Sequence, residues 1–482
     1  MSAGRRRPLV PFALVFVVLS TLLSTTVSTA AEATSLRLFV ADSDITARRG
    51  GGRVVFLDPG AWLTPVGGDF ELRVTRPDYD TPVTINQVDT ATGEIVRTLP
   101  ADMLDGWFGL GRFGSYQVVE LDGDVVLDET FSLCLNSYSR QRVSDDGPLT
   151  SGYPYFCGGG PFTKGSIWGL DHGWASPFVG GYYGLNWRAQ QDEYTIRFRI
   201  EPRWIEALQI APGDASAEVH VTVVGRRRGG HVSAAASEPP APTYRPYGVT
   251  PIVTNPDPAS LPDLIPTPGW GMSVFTRGGR EYLGFNATEW NAGPGTMVVE
   301  GFRGPNEDSM DAFQYFLIDG QPVGRAPVGQ LEYHSGGGHN HWHFEEFTQY
   351  SLLDASTNRV VVSGKQSWCL VNTDAIDLTL PNASMFGFNQ DLVTACGGPG
   401  ALWIREILDI GWGDTYSQYV RGQAFDITNL PNGRYYVRVH VNPTGSIYET
   451  DQSNNIEDRV IRLKGKPGNR RVVVPPWHGI DA

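Results

Sequence analysis

The sequence predicts an all-β chain, and two observations support this prediction. Glycine and proline are abundant, at 57 and 34 of 482 residues, while long amphipathic helical patterns are scarce. Several short runs alternate between apolar and polar residues, as half-buried strands do. Such runs cover residues 53–57, 194–200, 217–224 and 436–441. We therefore expect a β-sandwich-like fold with few short helices.

The chain also contains an internal repeat, because the same short motifs occur twice in the same order. The paired motifs are Ser132-Leu-Cys-Leu135 with Ser367-Trp-Cys-Leu370, Phe156-Cys-Gly-Gly159 with Ala395-Cys-Gly-Gly398, Leu170-Asp-His-Gly-Trp174 with Leu408-Asp-Ile-Gly-Trp412, Ile200-Glu-Pro202 with Val441-Asn-Pro443, and Trp62 with Trp290. Chance similarity among β-strands is the alternative, but collinear matches that include cysteines argue against it. The repeat predicts two related β-domains that arose by duplication.

Composition predicts the domain boundaries. Residues 1–31 begin with three arginines, continue with an apolar run and end in small residues, which is typical of a cleaved signal peptide. An uncleaved anchor is the alternative, but the apolar run is short for a membrane span. Residues 229–260 are rich in Pro, Ala and Ser and predict a linker between a first domain, 35–228, and a second, 261–482. Since no later apolar stretch could span a membrane, we expect a secreted, extracellular protein.

The cysteines and the charge restrict the possibilities further. Cys134, Cys157, Cys369 and Cys396 are expected to form disulfides in an oxidising compartment. Sequence alone does not choose among the possible pairings, but the simplest joins 134 to 157 and 369 to 396, within each domain. The net charge of −14 argues against nucleic acid and anionic membranes as partners, and it is compatible with a cationic substrate.

The strongest chemical signal is the run His339-Asn-His-Trp-His343. In a strand, alternation places His339, His341 and His343 on one face, and a row of imidazoles suits copper, zinc, iron or nickel. We expect residues 344–347 and 350–354 to continue this strand. A solvated or self-packed histidine-rich strand is the alternative, but four of the nine histidines fall within ten residues. The fourth, His334, is separated from the run by three glycines and is not assigned to the metal set.

Further segments of the second domain follow in an order that matches one known family. They are Leu261-Pro-Asp-Leu264, the histidine run with Glu345-Glu-Phe347, Gly364-Lys-Gln-Ser-Trp-Cys-Leu370, Asp414-Thr-Tyr416 with Asp426-Ile-Thr428, and Glu449-Thr-Asp-Gln-Ser-Asn-Asn455. Through these segments, residues 261–463 resemble the catalytic domain of the lysyl oxidase family.

The resemblance implies a copper-dependent amine oxidase of the protein-lysine 6-oxidase type. Copper would be held by the three histidines of the run, and Lys365 and Tyr416 would form a lysine tyrosylquinone. Oxidative deamination needs an electrophilic carbonyl and an electron sink, which no standard side chain provides. The alternatives are that Lys365 is a solvated loop lysine and Tyr416 a packing aromatic, and Tyr419 is the nearest rival tyrosine.

The reaction also needs a general base to remove a proton from the substrate carbon. We predict that Asp414, which lies close to Tyr416 in sequence, is this base, with Asp426 and Glu345 as rivals.

A second group of polar residues predicts a calcium site. It consists of Asp263, Glu449, Asp451, Asn454 and Asn455, whose carboxylate and amide oxygens suit Ca²⁺. The resemblance adds the carbonyl of Leu264 as a ligand. An acidic turn with Asx caps is the alternative interpretation.

The chemistry is not repeated in the first domain. Alignment of residues 113–116 with 347–350 gives no metal ligand or cofactor residue at the matching positions. Opposite His339, His341 and His343 lie Asp105, Trp107 and Gly109, opposite Lys365 lies Thr130, and opposite Tyr416 lies Phe178. We therefore expect a first domain without metal ligands.

The predicted function is the secreted oxidation of primary amines, either peptidyl lysine or small amines and polyamines, by O₂ to aldehyde, ammonia and hydrogen peroxide. The main alternative is a non-catalytic copper-binding protein of the cell surface or matrix that has lost cofactor formation. A copper polysaccharide monooxygenase would need an N-terminal histidine, which no plausible cleavage here provides. A zinc hydrolase with three histidines and an open position is a further alternative.

Overall fold

The computed structural model describes residues 34–179, 184–225, 246–248, 250–336, 339–362, 367–386, 396–417 and 422–482. Of His339 it describes the backbone only. The predicted signal peptide lies outside the described residues, and so does most of the predicted linker. Residues 34–482 group into one compact unit.

The all-β class predicted from the sequence is confirmed. Within the described ranges there are 31 strands and a single α-helix, α1 (Pro202–Leu208), which begins with proline and ends at Gln209 in the left-handed conformation. The short 3₁₀ helices are Gly51–Arg53, Ala101–Met103, Pro212–Asp214 and Pro258–Ser260. None of the described helices combines the length and apolarity that a membrane crossing requires.

The first half of the chain forms four sheets. Its strands are β1 (Ser35–Val40), β2 (Asp44–Arg48), β3 (Val54–Leu57), β4 (Ala61–Val66), β5 (Phe70–Thr75), β6 (Thr84–Val88), β7 (Ile95–Leu99), β8 (Leu110–Glu120), β9 (Val125–Leu133), β10 (Gln141–Arg142), β11 (Gly165–Leu170), β12 (Trp174–Pro177), β13 (Leu185–Arg188), β14 (Glu193–Ile200) and β15 (Ser216–Val224). The sheet orders are β1-β4-β12-β10, β11-β5-β6-β7, β13-β3 and β2-β15-β14-β8-β9.

The second half forms three sheets. Its strands are β16 (Leu264–Pro266), β17 (Trp270–Arg277), β18 (Arg280–Asn291), β19 (Met297–Phe302), β20 (Ser309–Ile318), β21 (Gln321–Gly336), β22 (His339–Phe344), β23 (Thr348–Asp354), β24 (Arg359–Val362), β25 (Asp374–Ala375), β26 (Trp403–Leu408), β27 (Trp412–Tyr416), β28 (Ala424–Asp426), β29 (Gly433–Val441), β30 (Ile456–Lys466) and β31 (Asn469–Val473). The sheet orders are β16-β18-β27-β25, with β17 and β28 also on β18, then β22-β21-β20-β19-β26 and β24-β23-β29-β30-β31.

The two halves share one strand topology, which supports the internal repeat. The sheet β16-β18-β27-β25 has the order of β1-β4-β12-β10, and β26-β19-β20-β21 has that of β11-β5-β6-β7. The sheet β24-β23-β29-β30 likewise has the order of β9-β8-β14-β15. These correspondences follow the chain order throughout. The histidine strand β22 extends the second of these sheets beyond β21 and has no counterpart beside β7.

Strand register tests the residue alignment of the repeat. Tyr116 pairs with Phe198, and its aligned residue Tyr350 pairs with Val439, as the alignment requires. The tryptophan match, however, was wrong by two residues. Trp62 pairs with Pro177, whose aligned residue is Thr415, and Thr415 pairs with Thr288 rather than with Trp290. The counterpart of Trp62 is therefore Thr288.

Each half has its own hydrophobic core, and a smaller contact joins the two. One buried cluster contains only residues of the first half and another only residues of the second. Between them, Lys164 donates its backbone N–H to the carbonyl of Ile376 at 2.6 Å, and Phe156 packs edge-on against Trp412. Since Trp412 begins β27, the first half supports the strand that also carries Tyr416. The separate cores favour a division of the chain into two domains, and the boundaries of these domains stay a prediction.

The end of the predicted linker is packed rather than extended. Val253 donates its backbone N–H to the carbonyl of Arg325 at 2.9 Å, and its side chain joins a small cluster with Leu261 and Phe316. The guanidinium carbon of Arg405 lies over the ring of Tyr247, 3.9 Å from the ring centroid. Residues 250–260 therefore pack onto the second half, so the prediction that they form part of a linker was wrong.

Both disulfides join the cysteines that the sequence pairs most simply. Cys134 bonds to Cys157 and Cys369 to Cys396, with Cα–Cα distances of 5.6 Å in each pair. The expected continuation of the histidine strand was wrong. β22 ends at Phe344, Glu346 adopts a left-handed φ of 57°, and β23 begins at Thr348 in a different sheet.

Candidate metal and cofactor site

The histidines lie on a two-stranded ladder formed by β21 and β22. His341 pairs with His334, and His343 pairs with Glu332, so these four side chains share one face of the ladder. The ring centroids of His341 and His343 are 4.7 Å apart, and those of His334 and His343 are 4.4 Å apart. Three imidazoles therefore lie together, which is the donor set that copper or zinc requires.

A hydrogen bond orients His343, which is buried with 1% exposure. Its Nδ1 lies 3.2 Å from Oγ of Ser367, while His341 is half-buried. A polar partner on one ring nitrogen fixes the ring and makes the other nitrogen the expected ligand atom. The donor chemistry of this face therefore fits a copper ion.

His334 is the residue that sequence reasoning left out. Its Nε2 lies 3.0 Å from Oε1 of Glu345, and donor atoms of Glu332, His334 and Glu345 all lie within 4.8 Å of one another. The glycines after His334 suggested that this residue lies apart from the histidine run. The antiparallel pairing of β21 with β22 instead places His334 on the same face as His341 and His343. Pairing across a hairpin was the signal that could have found it.

An open groove begins beside this ladder. Its lining includes Glu332, Glu345 and Glu346 on one side and Thr444, Ser446 and Tyr448 on the other. The three carboxylates make the groove acidic, and it connects with the ladder through Glu332 and Glu345.

The outer edge of β22 is covered by the segments that the second disulfide joins. Phe344 exchanges both backbone hydrogen bonds with Trp368, with N–O distances of 2.6 and 3.0 Å. Trp342 donates its backbone N–H to the carbonyl of Cys396 at 2.6 Å. The disulfide from Cys369 to Cys396 therefore brackets the histidine strand and fixes its position.

Tyr416 lies against the same segment. Its ring centroid is 4.0 Å from that of Trp368, and its hydroxyl accepts a hydrogen bond from the backbone N–H of Cys369 at 2.8 Å. Burial and the nearby carboxylate of Asp414 raise the pKa of this phenol well above its usual value. Because Trp368 contacts both Phe344 and Tyr416, it links the histidine strand to the tyrosine.

Part of the predicted site lies outside the described residues. Lys365 and the rival Tyr419 lie outside the described residues, as does the side chain of His339. Ser367, two residues after Lys365, contacts His343. The assignment of the site residues stays a prediction.

Three buried carboxylates lie behind Tyr416, on β18, β26 and β27. Glu289, Glu406 and Asp414 are at most 1% exposed. Glu289 and Asp414 are directly opposed in the ladder between β18 and β27, and Asp414 lies two residues before Tyr416 on the same face. Burial and the Asp414 carboxylate raise the pKa of Glu289 well above its usual value. The sequence analysis missed Glu289 and Glu406, which are buried glutamates within strands.

The two rival bases are engaged elsewhere. Asp426 forms an ion pair with Arg280 at 2.6 Å and accepts a hydrogen bond from Thr428, whose hydroxyl and N–H lower its pKa. Glu345 bonds to His334. Asp414 is the one of the three that lies on the strand and the face of Tyr416.

The predicted calcium residues lie together between the start of β16 and the turn before β30. Asp263 bonds to Asn454 at 3.0 Å, and Glu449 accepts hydrogen bonds from the amide of Asn455 and from the N–H of Leu264. The Oδ1 atoms of Asn454 and Asn455 are buried without a hydrogen-bond partner among the described residues. Burial raises the pKa of both Asp263 and Glu449.

This arrangement fits a hard cation. Two orphaned amide oxygens beside two partly buried carboxylates are what Ca²⁺ would satisfy. Asp451 is exposed and bonds to Ser453, but its charge still acts on Asp263 and raises the pKa of that residue. The Asx-cap interpretation therefore applies to Asp451 but does not account for Asn454 and Asn455.

The first half has none of this chemistry at the matching positions. Residues 105–109, which align with the histidine run, form a turn instead of a strand. Phe178, which aligns with Tyr416, is buried and packs edge-on against Phe131 at 5.2 Å.

Comparisons with known proteins agree with the resemblance found in the second half. The family model described as lysyl oxidase matches residues 321–472. Protein-lysine 6-oxidase of Sus scrofa is 35% identical over 141 residues, which are 29% of this chain and 49% of that protein. The Homo sapiens protein of the same name is 34% identical over 141 residues, 29% of this chain and 30% of that protein.

A second human protein is similar to this chain over a segment of nearly the same length. Lysyl oxidase homolog 1 is 33% identical over 142 residues, which are 29% of this chain and 22% of that protein. The chain thus spans half or less of the length of these relatives. Within that span, residues 321–472, which contain the histidine ladder, Trp368 and Tyr416, match the lysyl oxidase family model.

Proposed function

We propose that this protein is a secreted copper-dependent amine oxidase. It would convert a primary amine, oxygen and water into an aldehyde, ammonia and hydrogen peroxide: RCH₂NH₂ + O₂ + H₂O → RCHO + NH₃ + H₂O₂. Protein lysine is the substrate that the names of the relatives indicate, and polyamines or small amines are further substrates of the same chemical class. The basic and apolar start of the sequence supports secretion.

One observation carries this proposal. The histidine face, the segment after Lys365 and the ring of Tyr416 meet at Trp368, which pairs with Phe344 and packs at a tilt against Tyr416. A metal site and a redox-active tyrosine must be close if the metal is to take part in converting that tyrosine. A histidine-rich strand that only packed against itself would not require this convergence.

Each predicted site residue would have a separate role. His339, His341 and His343 would hold copper, with the side chain of His339 included through the sequence match alone. Lys365 and Tyr416 would form a lysine tyrosylquinone, which when present supplies the electrophilic carbonyl and the electron sink. Asp414 would accept the proton that leaves the substrate carbon, since it lies on the face of Tyr416.

The acidic groove would bind the substrate before it reacts. A primary amine is cationic at neutral pH, and Glu332, Glu345 and Glu346 line the groove next to the ladder. Water-exposed carboxylates attract an ammonium group without holding it tightly.

Calcium would serve as a structural ion in this proposal. Asp263, the Leu264 carbonyl, Glu449, Asp451, Asn454 and Asn455 would surround it, tying the start of β16 to the loop before β30. The orphaned oxygens of Asn454 and Asn455 support this assignment.

The test is an assay of the copper-loaded full chain. We expect peroxide from at least one primary amine and covalent labelling by phenylhydrazine, which reacts with the carbonyl of a quinone. Lys365→Ala should bind copper but lose both signals, while Lys464→Ala, which changes an exposed lysine on β30, should keep them. Copper binding without labelling in the wild type would favour the non-catalytic alternative.

A further inference from the structure

The contact between the two halves is made by the backbone as well as by side chains. Segment 163–165 of the first half runs beside segment 375–378 of the second, and Gly165 pairs with Asp377 in a parallel bridge. The hydrogen bonds between these segments join Thr163 Oγ1 to the Ala375 carbonyl at 3.0 Å, the N–H groups of Lys164 and Gly165 to the Ile376 carbonyl at 2.6 and 3.1 Å, and the Leu378 N–H to the Gly165 carbonyl at 3.0 Å. The start of β11 therefore binds the second half as an added strand does.

Gly165 is required by this close approach and not by its own backbone conformation, since its φ lies outside the left-handed region. A Cβ atom on Gly165 would collide with Oδ1 of Asp377 and lie 2.6 Å from Oγ1 of Thr379, both in the second half. The matching residue of the repeat is Trp403, because Gly165 begins β11 and Trp403 begins β26. The shared topology accepts a tryptophan at this position, so the glycine of the first half serves the contact with the second.

Segment 369–378 connects this contact with Tyr416. Its first residue, Cys369, donates its backbone N–H to the hydroxyl of Tyr416 at 2.8 Å. Farther along the segment, Ala375 pairs with Trp412 at the start of β27, the strand that ends at Tyr416. The phenol and the strand of Tyr416 are therefore both held by one segment whose far end binds the first half.

A second path of contacts reaches the same strand through side chains. Phe162 of the first half packs edge-on against Trp270, with ring centroids 6.4 Å apart. The indole N–H of Trp270 donates to Oγ1 of Thr288 at 3.2 Å, and this oxygen lies 2.6 Å from Oγ1 of Thr415. Thr415 directly precedes Tyr416, so two separate paths connect the first half with the position of the tyrosine.

The end of the chain covers this contact. Residues 475–480, here called the C-terminal strap, follow the last strand of the second half, yet they reach the first half. The ring of Trp477 packs against those of Tyr79 and Phe162, with centroid distances of 4.9 and 5.7 Å. Phe162 therefore contacts the second half through the strap as well as through β17.

The C-terminal strap is fixed at both of its ends. Arg459 of β30 is 1% exposed and donates to the carbonyl of Pro475 at 2.9 Å, which holds the strap on the second half. Toward the first half, Nδ1 of His478 lies 2.8 Å from Oδ2 of Asp80. The strap thus contacts both halves and spans their boundary.

We propose that the first half is a positioning module, whose segment 162–165 docks on segment 375–378 and sets the place of Tyr416, and that the C-terminal strap locks the two halves together. A crosslink requires the side chains of Lys365 and Tyr416 to meet, and a misplacement of about 1 Å can slow such a step by about a hundredfold. The effect on the crosslink rests on the proposed function, whereas the docking and its lock do not.

The first arm of the test is hydrogen exchange of the full chain, followed by mass spectrometry. Gly165→Val inserts a side chain into the contact and should speed exchange by roughly tenfold or more in the peptides that cover residues 375–378 and 412–416. Gly160→Val is the matched control and should exchange like the wild type, because a Cβ atom on Gly160 meets no described atom within 4 Å. Unchanged exchange at 412–416 in Gly165→Val would overturn the proposal, even if 375–378 responds.

The lock is tested at Trp477 by the same measurement. Trp477→Ala removes the ring that packs on Tyr79 and Phe162, so exchange should rise in the same two peptides. Trp477→Phe keeps an aromatic ring at this position and should restore most of the protection. Wild-type exchange in Trp477→Ala would contradict the locking role, and this variant also tests the docking should Gly165→Val not fold.

The second arm follows the full chain during copper loading in air. Gly165→Val should bind as much copper as the wild type, because the histidine ladder contains no residue of this contact. It should form the crosslink between Lys365 and Tyr416 about tenfold or more slowly, while Gly160→Val matches the wild type in both properties. Equal crosslinking rates in Gly165→Val and the wild type would refute the positioning role. If the wild type forms no crosslink, the proposed function fails, and hydrogen exchange still decides the docking.

Discussion

The first half of the chain and the second half share a strand topology but use it differently. At one position of the same ladder the first half has Phe178, which packs among aromatic rings, and the second has Tyr416, which contacts Trp368. The first half has a turn at residues 105–109, and the second has the histidine strand β22. The comparison teaches that, on a shared topology, the two halves differ by one strand and by the side chains at a few matching positions.

The difference also has an energetic side. The first half fills the ladder position with Leu63 and Ser176, whereas the second buries Glu289 and Asp414 there. Burial of a carboxylate carries a desolvation cost, while a leucine stabilises a fold by about 1.5–3 kcal/mol when fully buried. The second half therefore gains less free energy from apolar burial at this position than the first half does.

The largest expected effect comes from making the second half resemble the first. Tyr416→Phe introduces the residue that the first half has as Phe178, and it should abolish peroxide production while leaving copper binding intact. The reason is that a phenyl ring cannot be oxidised to the quinone. A peroxide-coupled assay and metal analysis measure the two properties, and Phe178→Tyr is the control that should leave activity unaltered. Substantial oxidase activity in Tyr416→Phe would break the comparison.

The number of copper ions bound per chain is the next test of the difference between the two halves. The wild type should bind one copper per chain, and His341→Ala should lose most of it, because the ladder then lacks one of its imidazoles. His220→Ala in the first half removes an exposed histidine and should retain full binding. Metal analysis after dialysis provides the measurement. Two coppers per wild-type chain would show that the first half also binds metal.

Calcium should stabilise the folded protein by binding at the predicted site in the second half. An ion at about one hundred times its Kd would raise the free energy of unfolding by about 2.7 kcal/mol. We expect a calcium-dependent rise in Tm for the wild type and none for Glu449→Gln, which loses a carboxylate next to Asn455. Glu457→Gln, another partly buried glutamate of the same half, serves as control. An equal calcium response in Glu449→Gln would remove the site.

A smaller effect is expected in the pH dependence of stability. The folded pKa of Glu289 is raised above its unfolded value. The folded state therefore holds the proton more tightly, and stability is lost as the pH rises from the unfolded pKa toward the folded one. Relative to the wild type, Glu289→Gln should gain about 1.4 kcal/mol of unfolding free energy per pH unit within that window. Denaturant titrations at several pH values measure it, and a constant difference between the two proteins would contradict the sign.

Sequence reasoning predicted the parts of this molecule that depend on local pattern. Alternation in residues 194–200 and 436–441 predicted strands that the structure has as Glu193–Ile200 and Gly433–Val441, and both disulfides follow the simplest of the cysteine pairings that the sequence left open. The repeat predicted a register that Tyr116 and Tyr350 follow. These features depend on residues close in sequence or on motifs that the duplication preserved.

The remaining features depend on contacts that pattern cannot supply. His334 joins the histidine face only because the hairpin pairs it with His341. Glu289 lies opposite Asp414 only because β18 pairs with β27, a strand more than a hundred residues away. The histidine strand ended earlier than expected because the left-handed conformation of Glu346 redirects the chain to another sheet.

The account rests on chemistry that joins Lys365 and Tyr416 in the second half alone. The most direct measurement is peptide mapping by mass spectrometry of the full chain after copper loading in air. We predict a single crosslinked peptide that contains both residues, absent from the copper-free protein and from Tyr416→Phe, with the peptide of Phe178 unmodified. Recovery of separate, unmodified Lys365 and Tyr416 peptides from the fully copper-loaded wild type would contradict the account.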